Sequence, residues 1–272
     1  MNGKLYLVAT PIGNLEDITL RALRVLKEVD IIAAEDTRTT LKLLNHFEIK
    51  KPLISNHRHN EENREEELIN KLKEGLNIAV VSDAGTPGIS DPGEVIAKKA
   101  IEEDIEVIPI PGACAAISAL IASGLDTKEF TFYGFLPLNK KLRKEKLEEL
   151  KNETKTSIIY EAPHKMKDTL NDLKEFLEER EVVLAREITK IHEEFIRGKI
   201  EDILIKSENL KGEMILLIQG NEKIEKENFL NNLSLEEHFN FYKNQGLDKK
   251  DIIKKIAKDR GVNKNEIYKQ FI

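Results

Sequence analysis

The sequence predicts an α/β protein in three parts. These are an N-terminal unit on a mostly parallel sheet at 1–124, a second α/β unit with hairpins at 125–220, and a linker with a small basic helical module at 221–272. Three observations predict it. Short apolar runs alternate with helix-like segments from Leu5 to Ala122, the rhythm of parallel strands crossed over by helices. A break at Gly124–Lys128 opens a mixed pattern of strand-like and helix-like runs. Asn221–Asn232 is polar and aperiodic, and the residues after it differ in charge.

Taken in order, Leu5–Ala9 reads as the first strand and Pro11–Asn14 as a turn. A helix follows over about Ile18 to Val29, because Leu20, Leu23, Val25, Leu26 and Val29 approximate a 3.6-residue period. Ile31–Ala34 and Leu53–Ser55 read as strands. A charged helix from about Glu61 to Glu74 stops at Gly75, a residue suited to the left-handed position that closes helices. Ile78–Ser82 is apolar almost throughout, as parallel strands buried on both faces are. Helix Glu94–Glu103, strand Glu106–Ile110 and a helix of small residues at Ala113–Ala122 complete the unit. The second unit has strands at Phe130–Gly134, Ser157–Tyr160, Val182–Ile188, Glu194–Gly198 and Met214–Gln219, and helices at Lys141–Leu150, Met166–Glu179 and Ile200–Ser207. Three short helices end the chain. Ser234 with Glu237 and Asn263 with Glu266 have capping-box spacing, and Gly261 stops the middle helix, whose apolar face is Ile252, Ile253 and Ile256.

At 272 residues and 40% hydrophobic content, the chain can bury one large core or two modest ones. A charged fraction of 34% and a net charge of −6 predict solubility and argue against a broad nucleic-acid binder, which neutralises many phosphates at once. A local patch remains compatible. From 241 to 272, nine basic residues face four acidic ones, a net of +5. That module reads either as an RNA-docking element or as a solvated helical tail. Cys114 is the only cysteine, so no internal disulfide forms and a reducing, cytoplasmic setting is expected. Its small apolar neighbours predict a buried structural thiol. No secretory leader or membrane span is expected, since Val107–Leu125 is interrupted by Pro109, Pro111, Gly112, Ser118 and Ser123.

The segment most expressive of chemistry is Asp83–Gly93, DAGTPGISDPG, directly after the strand at Ile78–Ser82. Its glycines and prolines make a rigid loop of little bulk, which lets main-chain atoms approach a ligand closely. It lies at the carboxyl end of a strand, where open α/β sheets bind ligands. Asp83 and Asp91 can accept hydrogen bonds from an amine or ribose hydroxyls; the structural alternative is a tight turn with an Asx cap. Thr10–Asn14 and Pro109–Gly112 are similar loops, and three such loops imply one shared crevice. Polar clusters follow other elements: Glu35–Arg38, His57–Glu61, Tyr160–His164, and Arg186–Lys190 with His192 and Glu193. Each can also be an ordinary surface salt-bridge cluster. There is no G-x-G-x-x-G after the first strand, no P-loop and no zinc spacing, so no metal is expected.

Several strings together resemble the tetrapyrrole-methylase-like superfamily, and within it the rRNA (cytidine-2′-O)-methyltransferases. They are VATPIGNL with ITLRAL, AEDTR at Ala34–Arg38, HNE at His59–Glu61, VSDAGTPGISDPG at Val81–Gly93, ASGL at Ala122–Leu125, FYGFLP at Phe132–Pro137, YEAPH at Tyr160–His164, AREITKIHEE at Ala185–Glu194 and GE at Gly212–Glu213. The resemblance runs from Leu5 to about Gly220, and RGVNKNEIY at Arg260–Tyr268 extends it into the C-terminal module. Two positions depart from the usual pattern: Ala113 stands where proline is common, and Gly88 where a larger apolar residue is.

The resemblance implies two α/β domains of the tetrapyrrole methylase type with S-adenosylmethionine in the cleft between them, a homodimer, and no metal. It implies 2′-O-methylation of a cytidine in small-subunit (16S) rRNA near the decoding centre, with the rRNA met inside the ribosomal subunit. Cofactor contacts are expected from Pro11, Asp83, Ala84, Gly85, Thr86, Ser90, Asp91, Pro111, Gly112, Ala113, Tyr160 and Gly212. Asp36 or Glu187 is expected as base, with Lys190 or Arg186 as a cationic stabiliser. RNA contacts are expected from Arg38 and from Lys140, Lys141, Arg143 and Lys144, which also read as a solvated helix face. The alternatives are a precorrin-type tetrapyrrole methyltransferase and a non-catalytic RNA-binding assembly factor.

Overall fold

The alternating runs of the first half fold as five parallel strands: β1 (Leu5–Val8), β2 (Ile31–Ala34), β3 (Leu53–Ser55), β4 (Ile78–Val81) and β5 (Val107–Ile110). They stand in the order β3-β2-β4-β1-β5. The structure is a computed structural model and describes residues 2–57, 61–177, 179–207, 212–222 and 229–271. Because strand side chains alternate between faces, both faces of this sheet are apolar and both are covered. Helices α1 (Leu20–Glu28) and α2 (Thr37–His46) pack Val25, Leu26 and Leu44 against Val8, Ile32 and Ala34 on one side. On the other, α3 (Glu61–Lys73) and α4 (Glu94–Glu102) pack Leu68, Leu72 and Ile96 against Leu5, Ile78 and Val80. Thr19 caps α1 by accepting the Ala22 N–H.

The second sheet comprises β6 (Phe130–Phe135), β7 (Thr156–Glu161), β8 (Val182–Arg186), β9 (Glu194–Gly198) and β10 (Met214–Ile218). Its order is β6-β7-β10-β8-β9, parallel only between β6 and β7. Helices α6 (Lys140–Asn152), α7 (Pro163–Leu177) and α8 (Ile200–Lys206) cover one face. The other face receives α5 (Ala115–Ser123), whose Ala116, Ala119 and Leu120 pack on Ile158, Val183, Ala185, Ile215 and Leu217. Alanines on this helix permit the close approach, and Gly124 ends it in the left-handed conformation at φ 85°. By packing, then, α5 sits with the second sheet, although it precedes the sequence break at Gly124–Lys128.

Three short helices, α9 (Leu235–Lys243), α10 (Lys249–Asp259) and α11 (Lys264–Lys269), enclose their own core of Leu230, Tyr242, Ile252, Ile253, Ile256 and Ile267. Buried His238 bonds Asp259 at 3.2 Å, and the Tyr242 hydroxyl donates to the same carboxylate at 2.6 Å.

The structure corrects several sequence expectations. Helix α2 was not anticipated; only Thr40 and Leu44 of it are buried, so its apolar stripe is too thin to register as a period. Strand β8 stops at Arg186, not Ile188, because Glu187 and Thr189 take left-handed backbone at φ 50° and 67° and turn the chain out of the sheet. Ser234 and Glu237 form the expected capping box, but Asn263 caps through the Asn265 N–H without one. Cys114 is half-buried rather than enclosed. Among the described residues no helix is long and apolar enough to cross a membrane.

Candidate active site

The loops leaving β1, β4 and β5, three neighbours in the first sheet, converge at its carboxyl edge. Thr10 and Gly85 exchange main-chain hydrogen bonds of 2.8 and 3.0 Å. The Thr86 hydroxyl donates to the Ala113 carbonyl at 3.0 Å, tying the β4 loop to the β5 loop. Gly85 takes left-handed backbone at φ 83°, and a Cβ there would come within 3.1 Å of Ile12 Cγ2, so a side chain at this junction would be strained. Asp83 accepts the Asp36 N–H at 3.0 Å, and its own N–H donates to Glu35 at 3.2 Å, which adds the end of β2 to the same edge.

The second sheet supplies the facing wall. The Tyr160 hydroxyl accepts the Ala116 N–H at 3.1 Å and holds the first turn of α5. Burial pushes the Tyr160 pKa up to about 12, with the nearby Cys114 adding to the effect, so this hydroxyl stays neutral. Phe132 and Phe135 meet Tyr160 edge-on at 5.1 and 5.7 Å. Gly134 lets the loop holding Ser90 approach, since a Cβ there would lie 3.2 Å from the Ser90 Oγ. The cleft between the two walls has about 390 Å³, within the range of small-molecule sites. Its lining is mainly apolar, with carboxylates from Glu35, Asp83, Asp91, Glu161 and Glu213, and no Lys, Arg or His side chain among the described residues. Such a wall disfavours phosphates and suits a ligand carrying positive charge.

Back to back with this cleft is a wider depression bounded by Gly13, Asn14, His46, Glu187, Thr189, Lys190 and His192. Lys190 stands at the seam. Its Nζ reaches Glu187 at 3.0 Å and Glu213 at 3.2 Å, and Glu213 also lines the first cleft. Burial alone lowers the Lys190 pKa, but these carboxylates outweigh it and hold the ammonium above the ordinary lysine value. Burial likewise raises Glu187, and Lys190 outweighs it to leave that carboxyl below the ordinary range. Gly13 makes room for the Lys190 stem, since its Cβ would lie 2.6 Å from Lys190 Cγ. Gly212, at φ 90°, makes room for Glu187, whose Oε1 a Cβ would meet at 2.1 Å. Gly212→Ala is therefore expected to cost about 1–3 kcal/mol in urea denaturation, from backbone strain and displacement of Glu187.

Of the residues singled out from sequence, Asp83, Ala84, Gly85, Thr86, Ser90, Asp91 and Tyr160 line the cleft. Pro11, Pro111, Gly112, Ala113 and Gly212 lie beside it along the chain, where Ile12, Cys114 and Glu213 supply the lining. Asp36 caps α2 and is bound by Arg38, whose guanidinium holds its pKa down to about 2. Arg186 pairs with Glu194 at 2.7 Å across β8 and β9. Lys140, Lys141 and Lys144 are exposed at the start of α6, a helix end that disfavours cations and here has no acidic residue to offset them. Arg143 turns the other way: it is bonded to Asp172 at 2.7 Å and to Thr169 at 2.8 Å, which ties α6 to α7. Arg58, His59 and Asn60 lie outside the described residues. Sequence reasoning did not single out Ile12, Glu35, Ile89, Cys114, Ala115, Phe135, Glu161, Ala162, Pro163, Ile188, Glu213, Met214 or Ile215 as lining. Most are apolar or small, and the available signal was that many, such as Glu35, Glu161 and Glu213, stand inside the strings already marked.

The family profile of the Tetrapyrrole (Corrin/Porphyrin) Methylases matches residues 4–204. The Ribosomal RNA small subunit methyltransferase I of Halalkalibacterium halodurans is 54% identical over 270 residues, covering 98% of this chain and 93% of its own. The protein of the same name from Bacillus subtilis is 49% identical over 271 residues, with 98% and 93% covered. Among solved structures, uroporphyrin-III C-methyl transferase from Thermus thermophilus, complexed with S-adenyl homocysteine, has the same fold at a TM-score of 0.56 and 14% identity, over 80% of this chain and 97% of that one. This chain belongs to the tetrapyrrole methylase family and, within it, groups with the ribosomal RNA small subunit methyltransferase I proteins.

Proposed function

We propose that this chain is an S-adenosylmethionine-dependent methyltransferase acting on small-subunit rRNA, and that it methylates the 2′-hydroxyl of a cytidine near the decoding centre. The observation that carries the reading is the cleft itself: three glycine-bearing loops at the carboxyl edge of a parallel sheet, a largely apolar lining, and five carboxylates with no cation among the described lining residues. A sulfonium and an ammonium suit that lining, and a dinucleotide's phosphates do not. The rRNA part of the reading draws on the relatives' name and on their coverage of nearly the whole chain.

Bound in the cleft, S-adenosylmethionine supplies an already activated methyl group. The chain's part is to bind, align and exclude water, and alignment alone is worth roughly 7–11 kcal/mol in well-oriented systems. The β4 loop, with Asp83 and Asp91, holds the cationic ligand. The wider depression receives the acceptor nucleotide, and Lys190 at the seam would stabilise the alkoxide left as the 2′-hydroxyl gives its proton to solvent, readying that oxygen to take the methyl group from the sulfonium as the sulfur departs as a neutral thioether. Lys140, Lys141, Lys144 and Arg38 contact the RNA backbone. The enzyme works in the cytoplasm as a homodimer; Leu20, Ile117 and Ile121, left in solvent by one chain, are surface that a second copy would cover.

Mass-spectrometric mapping of ribose methylation in small-subunit rRNA tests the reading. One 2′-O-methylcytidine is expected to vanish on gene deletion and to return when purified protein and S-adenosylmethionine are added. An unchanged methylation map, or transfer to a tetrapyrrole instead, overturns it.

A further inference from the structure

The helical module beyond the family's matched region presents a row of cations with no ion-pair partner among the described residues, on an otherwise acidic protein. Residues 241–272 carry +5, while the other 34 basic residues face 45 acidic ones, a net of −11. Such a body is repelled by a polyanion at long range. Cations of the body are repeatedly neutralised within it, as Lys4 is by Glu106, Lys73 by Glu103 and Lys190 by Glu187. In α10 the pattern reverses. Ile252, Ile253, Ile256 and Ala257 face the module's core, while Lys250, Lys254 and Lys258 stand exposed on the side away from it. They are spaced four residues apart, so they form one row at steps of about 6 Å along the axis. None of the three is in an ion pair among the described residues, although Asp251 lies only three residues from Lys254.

Like charges at this spacing repel and destabilise a helix, so folding alone gives no reason for the row. Other lysines of α10 are engaged locally: Lys249 donates to the Phe271 carbonyl and Lys255 lies 4.7 Å over the Tyr242 ring. The module's own core and the Arg260–His238 and Tyr242–Asp259 bonds make it a rigid platform for the row.

We propose that the Lys250–Lys254–Lys258 row is a docking face for the phosphate backbone of small-subunit rRNA, which holds the acidic body on its substrate. The proposal rests on the rRNA reading above and deepens it. A backbone contact of this kind strengthens binding without reading sequence, and its strength falls steeply with salt.

The test uses full-length protein carrying Lys250→Glu, Lys254→Glu and Lys258→Glu together, with fluorescence anisotropy on deproteinised small-subunit rRNA and steady-state methylation of small subunits from a deletion strain. Expected are an affinity at least about tenfold weaker and a log–log salt dependence shallower by about two to three, since each lost phosphate contact removes roughly 0.7–0.9. KM for subunits rises correspondingly while kcat at saturation and S-adenosylmethionine affinity hold. The triple arginine variant should restore binding. A triple glutamine variant, which relieves the repulsion within the row, gives the same readout should the glutamate variant fold poorly. Unchanged rRNA affinity and salt slope overturn the proposal. So does a loss confined to assembled subunits with naked rRNA unaffected, which would make a ribosomal protein the partner. If wild-type protein methylates no rRNA, the functional reading fails, and anisotropy still decides the docking face by itself.

Discussion

Exchanging Asp83 for asparagine is expected to weaken S-adenosylmethionine binding about ten- to a hundredfold, read by titration calorimetry on the folded protein. The exchange keeps an oxygen in place to accept the Asp36 N–H, now 3.0 Å from the carboxylate, and keeps the Asp83 N–H on Glu35. What it deletes is charge. A hydrogen bond to a charged group contributes roughly 1.5–3 kcal/mol, and each 1.4 kcal/mol is about tenfold in affinity. Asp83→Ala removes the acceptor as well, loosens the join between β2 and β4, and should bind more weakly still. Wild-type affinity in Asp83→Asn would mean that the acidic lining of the cleft does not select the cofactor by charge. The largely apolar remainder of the cleft would then hold the ligand by shape alone.

That prediction came within reach of the sequence because the β4 loop announces itself. Asp83–Gly93 packs glycines and prolines directly behind an apolar strand, and local backbone chemistry of this kind is readable residue by residue. The parallel sheet was legible for a similar reason: β1, β2 and β4 are short, apolar and separated by crossover-length segments. What was not legible depends on contacts distant in sequence. That α5 belongs to the second sheet follows from Ala116 and Ala119 meeting Ile158 and Leu217, and a helix of small residues does not declare its partner. The facing wall of the cleft is made of ordinary apolar residues, such as Met214 and Ile215 at the start of β10, which look like any core strand until folded. Arg143 reads like Lys141 and Lys144 in sequence, yet the turn of α6 aims it at Asp172 while they face solvent.

Charge at the seam bears on how the acceptor hydroxyl is activated. Asp36 and Glu187 were the two candidate bases, and both are held by cations below the ordinary carboxylate range, Asp36 at about 2. A proton acceptor that weak contributes little near neutrality. Lys190 is shifted the other way and keeps its proton above the ordinary lysine value. The seam is thus arranged as a fixed cation between two carboxylates and not as a tuned base. Lys190→Met, which keeps a stem able to lie against Gly13, is expected to lower kcat by about 10²–10³, the size seen when one charge-stabilising donor is lost. S-adenosylmethionine affinity should stay within a few-fold, because Lys190 does not line the cofactor cleft. The pH profile separates this role from a base. Glu187, depressed, protonates only below the ordinary glutamate value, and Lys190, raised, deprotonates only above the ordinary lysine value. In wild-type protein neither should break the rate between about pH 5 and pH 9. A wild-type break near neutrality that disappears in Lys190→Met would show Lys190 acting as the base and reverse the assignment. A kcat near the wild-type value in that variant would remove Lys190 from the reaction altogether and leave the seam a structural ion pair that anchors Glu187 to Glu213.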